Sequence, residues 1–369
     1  MKKWTVIHTE ASTGWGGQEI RILTESSAMQ KKGHHVIIVT QEESCLLEKA
    51  KKANLETATI SFQKKDTLKT FLKLNELLHK YKPDFVNTHS SKDSWIGGLA
   101  TRAFGSKTKI IRTRHLSTPV SKNIINSFIY ENIPHKVVTT GEAIRTQLIK
   151  NNKMNPKKIV SIPTGINSKF FSSKNIKKDV REELQLSKNT LLVGMVSVLR
   201  SWKGHQYFIE ACEFLLNILP QVKFLIVGSG PCYDVIKKNI VEKRLQNNIL
   251  LLGYREDIPH ILASLNVLVH PSYANEGIPQ TLLQAMAMKT PIIASHLEPI
   301  KEVIKDGETG LLAPPKNSQV LAQKIAFLIE NHHLKQNLTE QAYKLFLEKY
   351  TLDEMIKKTE NLYTELDLR

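Results

Sequence analysis

The stretch from His270 to Ser295 constrains this chain more than any other. In order it predicts the end of a buried strand, a polar loop, an amphipathic helix and a second buried strand. Pro279 fits the first turn of the helix, and Pro291 ends it. A helix start gathers unpaired N–H groups, which suit a phosphate, and Glu276 just upstream can accept hydrogen bonds from hydroxyls. The stretch predicts a phosphorylated-sugar site; the alternative is an ordinary strand-loop-helix unit with a surface glutamate.

Short apolar runs alternate with helical patterns along most of the chain, which predicts βαβ units and mainly parallel sheets. The rhythm breaks over Pro163–Lys188, a polar and charged segment in which we place a linker. The predicted fold class is therefore α/β, with two Rossmann-like doubly wound domains, 1–185 and 186–349, that face a central cleft. Strands are predicted at 4–8, 36–40, 57–60, 85–87, 109–112, 137–139, 159–162, 191–199, 222–228, 248–253, 267–271, 291–295 and 310–314.

Charge is divided unequally between these halves. The net charge is +17, and residues 1–185 hold 32 basic against 16 acidic residues. This excess predicts an anionic partner for the first half: an acidic lipid surface, an anionic substrate or a nucleic acid. A drift of composition toward lysine is the alternative. The helical stretch 66–82, with Leu68 and Leu72 among lysines, fits an anionic membrane surface, although a core-packed helix with solvated lysines explains the same pattern.

Other classes of protein are disfavoured. Three widely spaced cysteines (Cys45, Cys212 and Cys232) indicate neither a disulfide framework nor a zinc site, and predict a reducing compartment. No apolar run approaches the roughly 18 residues of a membrane span, and we interpret MKKWTVIHTE as a first strand, not a signal peptide. HExxH and GxSxG are absent, and the one acidic-x-acidic spacing, Glu365 to Asp367, lies in the last residues. A phosphate leaving group would then be neutralised without a metal.

Two glycine-rich turns follow predicted strands. The first, at 14–17, opens a helix, a position that favours close approach of backbone to a phosphate. Because Glu19 occupies the last glycine position of GxGxxG, a dinucleotide site is poorly supported. The turn at 228–230 has the same weakness, with Tyr233 in that position. Tight strand-to-helix turns are the alternative for both.

Three polar side chains complete the candidate site. Arg200 and Lys203 follow a buried strand and together can neutralise a diphosphate. His115 follows the strand KIIR and can donate to a substrate hydroxyl, and His89 is a weaker case of the same kind. The alternatives are surface cations and structural histidines.

Taken together, these motifs resemble the GT-B-fold retaining glycosyltransferases of family 4, also called glycosyl transferases group 1. The family pattern E-G-x-P-x(4)-E-A-x-A-x-G-x-P-V-I-A is met by EGIPQTLLQAMAMKTPIIA. The likeness covers almost the whole chain in order and spacing. The other matching segments are GGQE (16–19), KKGHHVIIVT (31–40), PDFVNTHS (83–90), IPTGIN (162–167), IVGSGP (226–231), HPS (270–272) and DGETGLL (306–312).

The resemblance implies that the N-terminal domain binds the acceptor and the C-terminal domain the nucleotide-sugar donor, with a last helix, about 350–369, crossing back to the N-terminal domain. It implies that Glu276 contacts the donor-sugar hydroxyls, that Lys203 and Arg200 hold the diphosphate, and that His115 contacts the transferred sugar. The reaction would retain anomeric configuration. The remaining candidate donor-binding residues are Gly16, Gly17, Gly228, Tyr254, Arg255, Gly277, Ile278, Pro279, Gln280, Thr281 and Gln284.

The chain departs from the family pattern at three positions. Gln284 replaces the second glutamate, which accepts hydrogen bonds from ribose hydroxyls; a glutamine carbonyl can still accept, but uncharged. Val198 stands where the family has its phosphate arginine, and we take Arg200 as the substitute. Lys289 replaces the glycine that ends the helix, which affects only the turn.

These expectations define a hexosyltransferase-type glycosyltransferase that uses a UDP- or GDP-sugar, with no cofactor and no metal. The expected acceptor is an anionic glycolipid or polysaccharide precursor of lipopolysaccharide or other cell-envelope glycan synthesis, and no nucleic acid partner is expected. The expected location is cytoplasmic, peripheral on the inner leaflet of the membrane. Two alternatives stay open: a nucleotide-sugar epimerase of GT-B architecture, and a non-catalytic basic binding protein on the same scaffold.

Overall fold

The computed structural model describes residues 2–105, 107–121 and 123–368. The chain forms two compact units: unit 1 is Met1–Gly165 with Leu352–Arg369, and unit 2 is Ile166–Thr351. The boundary therefore falls between Gly165 and Ile166, about twenty residues before the predicted one. The polar segment after it belongs to unit 2 because its few apolar side chains, Ile166 and Val180 among them, pack into the core of that unit.

Unit 1 contains a seven-stranded sheet in the order β3-β2-β1-β4-β5-β6-β7, with every strand pair parallel. Its strands are β1 (Thr5–Glu10), β2 (His35–Thr40), β3 (Glu56–Thr59), β4 (Phe85–Thr88), β5 (Lys109–Arg114), β6 (Lys136–Thr139) and β7 (Ile159–Ser161). Its first helices are α1 (Gly17–Lys31), α2 (Cys45–Lys52), α3 (Thr67–Tyr81), α4 (Ser91–Phe104), α5 (Ile124–Ser127) and α6 (Glu142–Asn152). A π-helical turn, Phe128–Asn132, follows α5.

Unit 2 contains a six-stranded parallel sheet in the order β10-β9-β8-β11-β12-β13. Its strands are β8 (Leu192–Val196), β9 (Lys223–Val227), β10 (Ile249–Gly253), β11 (Val267–His270), β12 (Ile292–Ser295) and β13 (Leu311–Ala313). Its helices are α7 (Val180–Glu183), α8 (His205–Leu216), α9 (Tyr233–Glu242), α10 (Ile258–Ser264), α11 (Gln280–Met288), α12 (Glu298–Lys301), α13 (Ser318–Glu330) and α14 (His332–Lys349).

Apolar residues on both faces of each strand explain the doubly wound arrangement. Along β8, Val193 and Met195 belong to one core cluster and Leu192 and Val196 to the other. Successive side chains of a strand point to opposite faces, so strands that are apolar throughout need helices on both sides. Helices α8, α9 and α13 cover one face, and α10, α11 and α14 cover the other. The predicted α/β class with two doubly wound sheets is confirmed.

The last helix, α15 (Leu352–Asp367), is part of unit 1, where we placed residues of about 350–369. Its Tyr363 ring stacks on Phe85 of β4 at 4.2 Å between ring centroids and meets Trp4 edge-on at 5.6 Å. Glu360 accepts hydrogen bonds from Lys32 and His34 beside α1. Within the described ranges, no helix combines the length and apolar composition needed to cross a bilayer.

Candidate functional site

The candidate site of unit 2 lies where the order of its strands reverses. Strands β8 and β11 are parallel neighbours, and the chain leaves them to form helices on opposite faces of the sheet. In doubly wound sheets, the crevice at such a switch point is the usual ligand site. The loops that follow β8 and β11 carry Lys203 and Glu276, so the topology brings together two residues that are 73 positions apart.

Glu276 is a buried carboxylate held by two basic groups. Lys203 Nζ donates to Glu276 Oε1 at 2.7 Å, and His270 Nε2 lies 3.3 Å from the same oxygen. The Glu276 side chain is 5% exposed and that of Lys203 17%, so solvent screens this pair only weakly. The preceding residue, Asn275, has a left-handed backbone with φ 55°, a conformation that asparagine tolerates better than most residues.

Charge at this site is set by burial and by the ion pair. Burial raises the pKa of Glu276, but the charge of Lys203 and the contact with His270 outweigh burial and hold that pKa well below its ordinary value. Burial lowers the pKa of His270, which its contact with Glu276 only partly offsets. Glu276 is therefore ionised at neutral pH and acts only as a hydrogen-bond acceptor, as binding of sugar hydroxyls requires.

A close backbone approach fixes the Lys203 loop. After β8, Ser201–Lys203 forms a 3₁₀ turn that ends at Gly204, whose φ is +80°. A Cβ atom on Gly204 would lie 2.0 Å from the carbonyl oxygen of Pro271. The backbone N–H of Tyr273 donates to the carbonyl of Trp202 at 2.9 Å. The two loops are thus joined backbone to backbone, and Lys203 is presented to Glu276 from a rigid support.

Gly228, just after the end of β9, allows a similar close approach between two backbone segments. Its φ is +140°, and a Cβ atom there would lie 1.9 Å from the carbonyl oxygen of Ser197. The N–H of Ser197 donates to Val227, so the chain after β8 packs against the end of β9. The predicted strand 191–199 is consequently shorter and ends at Val196. This geometry supports the tight-turn interpretation of Gly228, and its contact with a phosphate stays a prediction.

Helix α11 begins at Gln280, so Pro279, which we placed in the first turn, lies one residue before it. Pro279 has an extended backbone (φ −67°, ψ 123°), and its own side chain offers no capping hydrogen bond. Gly277, Ile278 and Pro279 are buried, whereas Gln280 and Gln284, four residues apart on one helix face, are partly exposed. Thr281 Oγ1 donates to the carbonyl of Val196 at 3.2 Å, which ties the helix to β8.

The three other candidates of unit 2 have side chains with other contacts or with exposed surface. Arg200 is exposed, with its guanidinium carbon 5.2 Å from the centroid of the Trp202 ring. Arg255 binds Glu183 and Asp257, with Nη2 2.8 Å from Glu183 and Nε 2.8 Å from Asp257, and hydrogen bonds to these carboxylates raise the pKa of its guanidinium. Tyr254 is 49% exposed. Arg255 thus has carboxylate partners already, and its predicted contact with a nucleotide remains a prediction.

In unit 1, Gly16 and Gly17 begin α1. Gly16 is extended (φ −161°, ψ −165°), and its N–H donates to Glu19 Oε2 at 2.9 Å. Glu19, the residue that breaks the GxGxxG pattern, therefore caps the helix.

His115 is the end of a row of three histidines. Its Nε2 lies 3.0 Å from His89 Nδ1, and His89 Nε2 lies 2.9 Å from His8 Nδ1. Burial lowers the pKa of all three rings, which are consequently neutral at pH 7. The contact with His89 therefore orients the His115 ring and couples the tautomers of the two histidines. The sequence analysis missed His8, although its place near the end of β1, beside the end of β4, was a usable signal.

Within the described part of the chain, no cluster of three or more His, Cys, Asp and Glu side chains is arranged to hold a metal ion.

Two family models match the chain, one to each unit. The model described as Glycosyltransferase Family 4 matches residues 15–170, and the model described as Glycosyl transferases group 1 matches residues 176–345. Together they span most of the chain, and they meet close to the boundary between the units.

Comparisons with individual proteins and with solved structures also find glycosyltransferases. The chain is 31% identical over 256 residues, 66% of each sequence, to an Escherichia coli UDP-Gal:alpha-D-GlcNAc-diphosphoundecaprenol alpha-1,3-galactosyltransferase. It is 24% identical over 351 residues, 91% of each sequence, to the Staphylococcus aureus capsular polysaccharide biosynthesis glycosyltransferase CapM. A Rickettsia africae glycosyltransferase superimposes with a TM-score of 0.88 at 25% identity over 99% of both chains. Anabaena HepE, solved with UDP and glucose, gives 0.86 at 20% identity over 98% of this chain and 99% of that one, which shows a shared fold.

Proposed function

This chain belongs to glycosyltransferase family 4 and has the GT-B fold, and from that premise we propose that it transfers a hexosyl group from a nucleotide sugar to a lipid-linked or polysaccharide precursor of the cell envelope. The observation that carries this proposal is the buried Glu276 carboxylate paired with Lys203 at the switch point of the unit 2 sheet. The names of the E. coli and S. aureus relatives support the acceptor class, and HepE with UDP and glucose supports a UDP-sugar donor.

We assign the donor-binding roles as follows. Glu276 accepts hydrogen bonds from hydroxyls of the sugar, and Lys203 binds the diphosphate with N–H donors beyond the one given to Glu276. Gln284 offers its amide oxygen to the ribose, as an uncharged acceptor. The side chain of Arg200 is exposed and can turn from Trp202 to a phosphate. The predicted contact of His115 with the transferred sugar is part of the same proposal.

The proposed reaction breaks the bond between the anomeric carbon and the diphosphate oxygen. The negative charge that develops on this oxygen is stabilised by Lys203 and by the first turn of α11, without a metal. The acceptor hydroxyl then adds to the anomeric carbon on the face that the diphosphate leaves and gives its proton to the departing diphosphate oxygen, so anomeric configuration is retained.

A donor screen tests the proposed function. We expect the protein to hydrolyse at least one of the common UDP-, GDP- or ADP-sugars or to transfer the sugar from it. EDTA should have no effect on the rate. An α-configured donor should give an α-configured product in ¹H NMR. Conversion of the nucleotide sugar to an isomer without any acceptor would indicate an epimerase instead. Absence of nucleotide binding, with salt-sensitive binding of RNA, would indicate a non-catalytic binding protein.

We further propose that unit 1 associates peripherally with the cytoplasmic face of an anionic membrane. Helix α3 buries Leu74, Leu77 and Leu78 but leaves Leu68 72% and Leu72 56% exposed, four residues apart on one face. The apolar residues predicted for this helix therefore divide between the core and the surface. The same helix exposes Lys69, and residues 1–165 of unit 1 belong to the strongly basic half of the chain. Exposed leucines beside lysines are the composition of a surface that inserts at the headgroup level.

Vesicle sedimentation tests the membrane proposal. Leu68→Ser with Leu72→Ser should weaken binding to phosphatidylglycerol-containing vesicles about 30-fold or more, since each leucine contributes roughly 1–2 kcal/mol when buried. Val235 and Val241 of unit 2 are 70% and 54% exposed, so Val235→Ser with Val241→Ser is a matched control. Equal binding by the leucine variant and the wild type would refute the proposal.

A further inference from the structure

A cavity of about 440 Å³ opens in unit 1 at the carboxyl ends of β4 and β5. Among its lining residues are Trp95, Arg112, Arg114, His115 and Tyr130. None of the described residues that line it is acidic. The cavity therefore presents two guanidinium groups with no carboxylate in its wall to neutralise them, and it includes the histidine assigned to the transferred sugar.

Arg112 has an unmet hydrogen-bonding requirement in this cavity. The residue is 5% exposed, and its guanidinium carbon lies 3.9 Å from the centroid of the Tyr130 ring. Its Nη2 donates to the Tyr130 hydroxyl at 3.2 Å, but its Nη1 is buried and has no hydrogen-bond partner in the described chain. A buried charged donor without an acceptor is costly. The cavity is therefore built for an acceptor that the protein itself does not supply.

Arg114 supplies a second cation next to the first. Its Nη1 donates to the Tyr130 hydroxyl at 2.7 Å, and its Nη2 donates to the carbonyl of Thr118. Residues 112 and 114 of β5 point to the same face of the sheet, because side chains alternate along a strand. The nearby carboxylate of Asp93 accepts hydrogen bonds from Thr9, His89 and Ser90, so it is already engaged.

We propose that Arg112 and Arg114 bind the diphosphate group of a lipid-linked acceptor. Two adjacent guanidinium groups, one with an open donor, match the charge and the several acceptor oxygens of a diphosphate. Trp95 and Val120, which line the same cavity, offer apolar surface next to that group. This inference rests on the proposed function, and it names the acceptor group that the basic half of the chain recognises.

Calorimetry with inorganic pyrophosphate, geranyl diphosphate and geraniol tests the inference on the full chain. Arg112→Gln and Arg114→Gln should each weaken binding of both diphosphates about tenfold or more, because each loses charge-assisted hydrogen bonds. Arg145→Gln removes an arginine of unit 1 outside the cavity and should bind like the wild type. Lys203→Ala removes the proposed donor phosphate site in unit 2, where a diphosphate would also bind. The arginine variants are therefore compared in the Lys203→Ala background, which should retain the binding to unit 1. Arg114 is partly exposed, so its variant keeps the test valid if Arg112→Gln unfolds.

The outcomes separate the possibilities. A lipid-borne diphosphate is supported if geranyl diphosphate binds more tightly than pyrophosphate and this binding depends on the two arginines. Binding of geraniol should not depend on either arginine. Equal affinity for the two diphosphates indicates a free diphosphate and overturns the lipid assignment. Binding that survives both arginine variants, or that is lost in Lys203→Ala, overturns the site. Hydrolysis of nucleotide sugars by the wild type is measured separately, so a failure of the proposed function is recognised independently.

Discussion

Glu276→Gln should lower the rate of sugar transfer by about 10²- to 10³-fold, the loss typical when a buried electrostatic contact to the reacting group is removed. Glutamine has nearly the same shape but lacks the charge that Lys203 and His270 stabilise. The amide can donate as well as accept, so it binds the sugar hydroxyls less selectively. Initial rates with the donor found by the screen measure the effect, and thermal melting confirms that the variant is folded.

The Glu213–Lys243 pair supplies the control for this substitution. Its N–O distance is 2.6 Å, close to the 2.7 Å of Glu276 and Lys203, but Glu213 is half exposed and lies on α8. An exposed ion pair contributes little to stability, so Glu213→Gln should leave transfer and melting nearly unchanged. A Glu276→Gln enzyme with transfer rates within twofold of the wild type would remove Glu276 from the donor site.

Gly204→Ala should destabilise unit 2 by about 3 kcal/mol or more and should lower transfer in the molecules that stay folded. The added Cβ would lie 2.0 Å from the carbonyl oxygen of Pro271, a backbone atom that can yield only if the β8 and β11 loops separate. Overpacking of this kind typically costs about 1–3 kcal/mol, and the left-handed backbone adds about 1–2 kcal/mol for a residue with a side chain. Denaturant unfolding measures the loss.

Gly307 gives the matched control because it shares the backbone conformation without the contact. Its φ is +75°, against +80° for Gly204, and nothing lies within 4 Å of a Cβ atom built there. Gly307→Ala should therefore cost only the conformational part, about 1–2 kcal/mol. Equal destabilisation by the two substitutions would show that the close approach of the two loops does not hold the site.

The sequence predicted the elements well but misplaced the boundary between the units. Each of the thirteen predicted strands overlaps an observed one, because buried parallel strands are short, continuous apolar runs. The segment after Gly165 misled the prediction, since it is mostly polar and its core contacts rest on widely spaced residues such as Ile166 and Val180. Composition alone cannot distinguish such a segment from a linker.

The sequence predicted individual residues of the site but not the ion pair between them. Glu276 and Lys203 were both candidates, yet their ion pair depends on the order of β8 and β11 and on the glycine that lets their loops touch. The sequence analysis missed Arg112 and Arg114 because it interpreted β5 only as a buried strand and considered only its apolar residues. Their alternation at positions i and i+2 was the available signal for two cations on one face.

Calorimetry with the nucleotide diphosphate and with its sugar conjugate, on the wild type and Glu276→Gln, tests the central claim most directly. If Glu276 binds the sugar and Lys203 the diphosphate, the wild type binds the conjugate more tightly than the nucleotide. Glu276→Gln should then lose this difference while its affinity for the nucleotide stays within about threefold. An unchanged difference between conjugate and nucleotide in Glu276→Gln would contradict the account.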